Sequence, residues 1–368
     1  MCKNRVVFPG AIREIAPRGV AFRGTVWEGG SAVPYDGVVV VDGTGAVAAM
    51  GPDIALPEGL PVLGGESCWV GPGLVDAHVH LAFGGPEEAV HGGVVAVRDL
   101  GAPLERAVAW RAAGGRAGGG ARVAVAGPVV TAPDGYPSRS WGADGFAVFA
   151  ADAGQAAAVI ADLAAGGVDV VKVALEPAGA APVPTPAVLR AVVGAAHHFG
   201  LPVTAHALTV EMVRRAVEAG VDELAHTPVE RLPEELIERI AAAAIPVVST
   251  LQCFFSGRNG HSAGANAAAL FRAGVKLLYG TDLGNAGTRP GAEPRELERL
   301  ADAGLGRLGA LRAATEGSAY AYGMDAGTGT LTIGRPAALV LLAADPLLEP
   351  GVWRAPRAVC ADGYLRTT

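Results

Sequence analysis

The stretch that decides the fold is "LVDAHVHLAFGG" (residues 74–85), in which an apolar run leads into two histidines separated by one valine. Side chains two residues apart on an extended strand point to the same side. His78 and His80 are therefore predicted to present two imidazoles side by side at the end of a strand. Such a pair suits a metal ion, whose remaining ligands must come from elsewhere in the chain.

Apolar runs of strand length recur along the chain, and helix-like segments fill most of the intervals between them. The runs cover residues 74–80, 94–100, 122–130, 168–175, 202–207, 221–227, 245–252 and 275–282. In "TPAVLRAVVGAAHHFG", Thr185 is suited to cap a helix, Pro186 to begin it and Gly200 to end it. Eight nearly continuously apolar strands alternating with helices indicate α/β architecture with a parallel sheet buried on both faces. Closing eight such units predicts a (β/α)8 TIM barrel over residues 71–330.

The two ends of the chain have a different pattern, with short apolar runs separated by glycine and proline. "DGVVVVDGTGAVAAMGP" (residues 36–52) is typical of a hairpin, and "GRPAALVLLAADP" near the other end has a similar character. We predict that residues 1–70 and 331–368 pair into one small composite β-sandwich domain beside the barrel domain of residues 71–330.

Composition excludes several functional classes. The formal net charge is −7 and the chain has no run rich in lysine and arginine, which argues against a nucleic-acid partner. No apolar stretch approaches the roughly 20 residues of a membrane span. The N-terminal segment lacks the apolar core of a secretion signal, and the four cysteines form no paired motif, so we expect a cytoplasmic protein with structural thiols. A small molecule or peptide is the expected partner, and a homo-oligomer is left open.

Polar residues fall at the ends of five of the predicted strands. They are His78 and His80 on the first strand, Lys172 on the fourth, His206 on the fifth, His226 on the sixth and Asp282 on the eighth. Enzymes with this fold carry their chemistry at the carboxyl ends of the strands. Each residue alone would suit a structural role, but all six share one register, and an unpaired lysine is costly to bury. The set therefore predicts a metal site.

The ligand types limit the metal and its chemistry. Imidazole nitrogen and carboxylate oxygen suit Zn²⁺, and also Mn²⁺, Fe²⁺ or Co²⁺. Six groups are too many for one tetrahedral ion, so either two metals bind or some groups have other roles. A neutral lysine amine can react with carbon dioxide to give a carbamate able to bridge two ions, which would hold a bridging hydroxide between them. Asp282 would take the proton from this hydroxide and pass it to the leaving amine.

With these residues in place, the sequence resembles the amidohydrolase superfamily, specifically its imidazolonepropionase-like branch, which includes metal-dependent prolyl dipeptidases. "GPGLVDAHVHL", "VVAVRDLG" and "VDVVKVA" are similar to the first, second and fourth strands of that branch. "PVTAHA", "GVDELAHTP" and "YGTDLG" match its remaining ligand strands in order, and "LRAATEGSAYAYGM" resembles its last helix. The resemblance covers nearly the whole chain, and the motifs are specific in combination.

The resemblance implies an assignment of the ligands. One metal would be held by His78, His80, Asp282 and a carbamylated Lys172, and the other by His206, His226 and the same carbamate. Asp282 would be the acid and base of the reaction. The implied cofactors are two divalent ions, with Zn²⁺ as the expected element.

Two departures from the family pattern bear on the substrate. The branch commonly has "GGH" after the third strand, whereas this chain has "TAPDGYPSRSW" (residues 131–141), which puts Tyr136 where the family often has histidine. Ala338 replaces the usual aspartate of the returning strand, outside the active face. A known specificity therefore cannot be transferred to this chain.

Loops after the third, seventh and eighth strands contain the candidate substrate contacts. These are Tyr136, Arg139, Trp141, Arg258, His261 and Arg289. An arginine fork would suit the carboxylate of a dipeptide. Each of these residues is equally consistent with a solvated loop position.

The sequence as a whole predicts a metal-dependent hydrolase that cleaves an amide or peptide bond through a metal-bridging hydroxide, as a peptidase or dipeptidase-like amidohydrolase would. One alternative is a tailoring enzyme that removes a follower peptide from a peptide natural product. Another is a mononuclear hydrolase of a cyclic amidine, imide or lactone. A non-catalytic scaffold is a third, and the complete ligand set argues against it.

Overall fold

A computed structural model describes residues 12–83, 85–114, 120–177, 180–255, 257–283, 291–324 and 326–367. Eighteen strands lie within these ranges: β1 (Ile12–Glu14), β2 (Val20–Val26), β3 (Tyr35–Val41), β4 (Val47–Gly51), β5 (Val62–Pro72), β6 (Leu74–Val79), β7 (Val94–Asp99), β8 (Arg122–Val125), β9 (Val129–Thr131), β10 (Ala147–Phe149), β11 (Val171–Leu175), β12 (Val203–Ala207), β13 (Glu223–Leu224), β14 (Val247–Val248), β15 (Leu277–Leu278), β16 (Leu339–Leu342), β17 (Ala358–Ala361) and β18 (Tyr364–Thr367).

Eleven α-helices lie within the same ranges: α1 (Pro86–His91), α2 (Leu104–Ala113), α3 (Ala153–Gly166), α4 (Pro186–His198), α5 (Val210–Ala219), α6 (Glu234–Ala242), α7 (Leu251–Phe255), α8 (Gly260–Arg272), α9 (Pro294–Leu300), α10 (Gly306–Arg312) and α11 (Ser318–Ala321). Short π-helical turns at Ala301–Leu305 and Ala313–Gly317 adjoin the last three helices.

Strands from both ends of the chain form one eight-stranded sheet, in the order β1-β18-β17-β16-β5-β2-β3-β4. The hairpin predicted around residues 36–52 is confirmed, because β3 pairs antiparallel with β4. The central pair of the sheet joins the two chain ends, since β16 runs antiparallel to β5. Phe22, Val39, Val70 and Leu339 are fully buried in the core of this sheet.

The middle of the chain forms parallel strands flanked by helices. One sheet has the order β10-β9-β11-β12-β13-β14-β15, and a second has the order β6-β7-β8. Each of the eight apolar runs of the sequence contains a strand, although the run at residues 122–130 divides into β8 and the start of β9. Nearly every residue of β6, β7, β11 and β12 is buried, as expected for strands covered on both faces.

Two of the helices, α4 and α5, begin at threonine caps. Thr185 and Thr209 accept hydrogen bonds from backbone N–H groups of the first turns of α4 and α5, which satisfies donors that a helix leaves unpaired. The start of α4 at Pro186 confirms the sequence-based prediction. Val192 and Ile240 are fully buried on the inner sides of their helices, against the parallel strands.

The α/β class expected from the sequence is confirmed. The closed eight-stranded barrel stays a prediction, as does the division into domains at residues 70/71 and 330/331. Among the described residues, no helix combines the length and apolar character that a membrane crossing requires.

Gly280 is a position where the packing beside the strand ends allows no side chain. A Cβ added there would lie 2.3 Å from Val248 Cγ1 and 3.1 Å from His78 Cβ. We expect Gly280→Ala to lower the free energy of unfolding by roughly 1–3 kcal/mol, because overpacking forces neighbours out of position. Urea unfolding measures this change.

The matched control is Gly194→Ala, because Gly194 lies in α4 and a Cβ there meets no atom within 4 Å. Replacing a helical glycine by alanine is expected to stabilise the protein by about 0.5–1 kcal/mol. Equal unfolding midpoints for the two variants would contradict the close approach at Gly280.

Candidate metal centre

A pocket of about 400 Å³ opens at the carboxyl ends of the parallel strands. This volume lies within the range of small-molecule sites. Its walls contain all six residues that the sequence predicted as metal ligands. The lining residues are His78, His80, Val129, Tyr136, Trp141, Lys172, Ala174, Glu176, His206, Leu208, His226, Cys253, Phe254 and Asp282.

His78, His80 and Asp282 form one group of potential ligands at the base of the pocket. One ligand atom of each lies within 4.8 Å of the others, and all three residues are buried. Asp282 Oδ1 is 3.6 Å from His78 Nε2 and 3.3 Å from His80 Nε2. His78 near the end of β6 and His80 just after it therefore meet at the same carboxylate, as their spacing predicted.

The tautomer of His78 follows from its second nitrogen. His78 Nδ1 lies 2.8 Å from the backbone oxygen of Ala225, which can only accept a hydrogen bond. Nδ1 must therefore carry the proton, and Nε2 presents a lone pair. Within the described part of the chain, Nε2 is fully buried without a hydrogen-bond partner. Metal-binding histidines are oriented in this way, with the other nitrogen donating to a backbone carbonyl.

His206 and His226 form the second group. His206 Nδ1 lies 3.0 Å from His226 Nε2, a separation at which both nitrogens can bind one cation, given Zn–N distances of about 2.0–2.1 Å. The outer nitrogen of each ring is engaged: His206 Nε2 is 3.3 Å from Glu176 Oε2, and His226 Nδ1 is 3.0 Å from Thr250 Oγ1. The two inner nitrogens are thus held facing each other.

Lys172 lies on β11, is buried, and lines the same pocket as both groups. Its Nζ has no hydrogen-bond partner in the part of the chain that the structure describes. Burial, assisted by the positive charge of Arg98 and opposed by Asp282, lowers the pKa of Lys172 from 10.5 to about 7. A neutral amine is therefore accessible near neutral pH, as carbamate formation requires.

His78, His206 and His226 are uncharged near neutral pH. Burial lowers the pKa of His78, His206 and His226 below the ordinary value of 6.5, and the positive charge of Lys172 lowers each of them further. Neutral imidazole is the form that binds metals. These three side chains are thus in the form that a metal ion requires.

Asp282 is positioned by an unusual backbone conformation. Its φ is +52°, in the left-handed region that aspartate tolerates better than most residues. Its N–H donates to the backbone oxygen of His78 at 2.8 Å. The preceding Thr281 donates from both N–H and hydroxyl to the buried Asp76 of β6. These bonds tie the segment after β15 to β6, which carries His78 and is followed directly by His80.

Aromatic side chains form the outer wall of the pocket. The Trp141 ring lies 4.9 Å from the His80 ring, and the Tyr136 ring lies 5.3 Å from the His206 ring, both measured between centroids. Trp141 Nε1 donates to the Tyr136 hydroxyl at 3.0 Å. The loop at residues 131–141, which departs from the family pattern, thus lies over both ligand groups.

Three of the other predicted substrate contacts, Arg139, Arg258 and His261, do not line this pocket. Arg139 pairs with Asp134 and is 74% exposed. Arg258 and His261 are exposed and do not line this pocket. Arg289 lies outside the described residues. A role for any of these four in substrate binding stays a prediction.

Sequence reasoning overlooked three residues of the site: Glu176, Thr250 and Cys253. Glu176 had a usable signal, because it continues the alternation of Lys172 and Ala174 on β11 by one residue beyond the strand, and all three line the pocket. The sequence contained no signal for Thr250. Its backbone has a left-handed φ of +41°, which is rare for a β-branched residue and could not be expected from the residue type. The sequence predicts a structural thiol at Cys253, whereas its Sγ lies 3.7 Å from Asp282 Oδ2. Burial raises the pKa of the thiol, which therefore stays protonated and donates.

Comparisons with known proteins identify the family of the chain. The sequence model described as the amidohydrolase family matches residues 69–359, and the chain therefore belongs to that family. No curated protein matches the chain significantly.

Solved structures share the fold over most of the chain. A Xaa-Pro dipeptidase with methionine bound in its active site is 20% identical, with a TM-score of 0.81 over 95% of this chain and 100% of that one. A protein assigned as a prolidase from Bifidobacterium longum is 26% identical, with a TM-score of 0.78 over 94% of each chain. Molinate hydrolase is 22% identical, with a TM-score of 0.75 over 97% of this chain and 95% of that one. These similarities show a shared fold, and membership of the amidohydrolase family supports a hydrolase.

Proposed function

We propose that the protein is a metal-dependent hydrolase that cleaves an amide or peptide bond, with a peptidase-like substrate as the first candidate. The observation that carries the proposal is the convergence of two ligand groups, His78–His80–Asp282 and His206–His226, around the buried amine of Lys172. Membership of the amidohydrolase family and the similarity to a Xaa-Pro dipeptidase support the same activity.

The residues present fit a pair of divalent cations. His78 Nε2 is a lone-pair donor that faces a carboxylate oxygen rather than a proton donor, an arrangement that a cation would stabilise. Lys172, carbamylated, would complete both groups as a shared carboxylate. The nitrogen-rich donor set suits Zn²⁺. When bound, two such ions would activate water and polarise a substrate carbonyl.

The chain's own side chains account for proton transfer. Asp282 Oδ1 faces His78 and His80, whereas Oδ2 lies 3.7 Å from the Cys253 thiol and 3.9 Å from His226 Nδ1. We assign Oδ2 as the atom that accepts a proton from the attacking water and delivers it to the leaving amine. Tyr136, Trp141 and Phe254 would pack against the substrate and restrict access of bulk water.

The proposal includes a closed barrel as the scaffold of the site. Its support is a set of contacts between the last and first parallel strands: the Ala77 N–H donates to Tyr279 O at 3.0 Å, and Val79 and Leu283 form a parallel bridge. Between the third and fourth strands, the Asp169 N–H donates to Val125 O at 2.8 Å. The eight-stranded sheet from both chain ends would form the separate small domain.

Metal content per chain tests the proposal directly. We expect about two equivalents of zinc or another divalent metal, measured by mass spectrometry on protein purified without chelator from bicarbonate-supplemented medium, because two ligand groups share one pocket. Xaa-Pro dipeptides and their C-terminal amides are the first substrates for the metal-loaded protein, and removal of metal with a chelator is expected to abolish their cleavage.

About one equivalent of metal would instead support a mononuclear hydrolase, and the substrates would shift to cyclic amidines, imides and lactones. No bound metal, with none gained on adding Zn²⁺, Mn²⁺ or Co²⁺, would overturn the proposal.

A further inference from the structure

Glu176 is the acidic residue of the pocket that the proposed reaction does not use. It follows β11 directly, four residues after Lys172, and its Oε2 lies 3.3 Å from His206 Nε2. The Glu176 and His206 side chains are 17% and 12% exposed, so the contact is largely shielded from water. A hydrogen bond to a carboxylate in such surroundings is stronger than one on the surface.

The contact decides which nitrogen of His206 is available. A carboxylate oxygen accepts hydrogen bonds, so His206 Nε2 carries the proton and Nδ1 presents its lone pair. Nδ1 is the atom that lies 3.0 Å from His226 Nε2. Glu176 therefore holds the ring in the tautomer and orientation that direct a lone pair into the second ligand group.

The contacts that Tyr136 and Thr250 make with the His206 and His226 rings do not determine the tautomer of His206. Tyr136 packs against the His206 ring at 5.3 Å between centroids, which limits the tilt of the ring but leaves the tautomer open. Thr250 contacts His226 and can either donate or accept. Among the described contacts of His206, the one from Glu176 is the contact that determines where its proton lies.

We propose that Glu176 is a positioning residue that orients His206 and so sets the affinity of the second ligand group, His206–His226, for its metal ion. The inference rests on the proposed metal-dependent function. It concerns a side chain that does not bind the ion itself, since it acts through the far nitrogen of His206. Loss of such a partner typically costs about 10–100-fold in metal affinity.

Cobalt binding to the full-length protein tests this role without any substrate. Apo protein is titrated with Co²⁺ in competition with a chromophoric chelator, which yields a dissociation constant for each site, and the visible absorption of bound Co²⁺ reports the geometry of each. In Glu176→Ala we expect one of the two constants to rise about 10–100-fold while the other stays unchanged. In Glu176→Gln the amide oxygen still accepts the hydrogen bond without the charge, so we expect an intermediate value.

Glu218→Ala is the matched control, because Glu218 is 51% exposed and pairs only with Arg239 of α6 in the described structure. Its two constants and its unfolding midpoint are expected to equal those of the wild type. If Glu176→Ala fails to fold, the isosteric Gln variant carries the test.

The results separate this inference from the function on which it rests. Two-site binding in the wild type with unchanged constants in both Glu176 variants would overturn the positioning role alone. Equal weakening of both sites together with a lower unfolding midpoint would also overturn it, in favour of a general structural role. A wild-type protein that binds no Co²⁺ would overturn the proposed function itself.

Discussion

Asp282→Asn is expected to lose about 10²–10⁴-fold in turnover while the protein stays folded, because the amide cannot accept the proton that a general base must carry. The substitution is nearly isosteric. It also respects the backbone, since Asp282 has a φ of +52° and asparagine tolerates the left-handed region as well as aspartate does. Alanine at this position would add backbone strain and obscure the result. Turnover of the best-cleaved peptide, with circular dichroism as a check on folding, measures the effect.

Asp144→Asn is the control, because it makes the same substitution at an aspartate that also has a left-handed backbone conformation. Asp144 also has a positive φ, at +56°, but it is exposed and does not line the pocket. We expect wild-type turnover from this variant. Near-wild-type activity in Asp282→Asn would show that another group transfers the proton and would exclude the assignment of Oδ2.

Lys172→Met is expected to lose bound metal and activity without losing stability in the apo state. Methionine has a similar length and no charge, and Lys172 Nζ is buried without a hydrogen-bond partner among the described residues. Removing such a group avoids a desolvation cost of roughly 1–3 kcal/mol. In excess chelator, we therefore expect the variant to unfold at the same temperature as the wild type or at a higher one.

Added metal is expected to change the unfolding temperatures of the wild type and Lys172→Met by different amounts. Zn²⁺ with bicarbonate is expected to raise the unfolding temperature of the wild type, because binding to the native state alone stabilises it. Lys172→Met should show little of this gain and a metal content well below that of the wild type. Lys276→Met is the control. Lys276 is exposed and directly precedes β15, so it lies at the amino end of that strand, whereas the pocket is at the carboxyl ends. Full metal occupancy in Lys172→Met would rule out a carbamate as the shared ligand.

The grouping of the six candidate ligands in one pocket was predictable because it depends on local pattern. Side chains at the end of a strand can be identified from the apolar run that precedes them, as with His206 after "PVTA" and His226 after "VDELA". Parallel strands place such ends on one side of the sheet. Residues separated by more than 200 positions, such as His78 and Asp282, could therefore be expected to share a pocket without any knowledge of their distances.

Substrate contacts were less predictable, because side chains in loops do not alternate in direction with a regular period as they do in strands. Arginines in the loops could be identified as candidates, yet Arg139 pairs with Asp134 and faces solvent. The aromatic wall depends on how the loop at residues 131–141 folds back, which puts Trp141 against His80. That path is decided by contacts within the loop, such as the one between Trp141 and the Tyr136 hydroxyl.

The sequence by itself determined the α/β class, the places where helices begin, and the identity of the side chains that meet at the strand ends, because these follow from hydrophobic period and capping chemistry. Only the tertiary structure decided how those side chains are oriented. The carbonyl of Ala225 directs the lone pair of His78, and the carboxylate of Glu176 directs that of His206. Each of these contacts joins elements that are distant in the chain, and the position of a proton on an imidazole depends on its neighbours in space rather than in sequence.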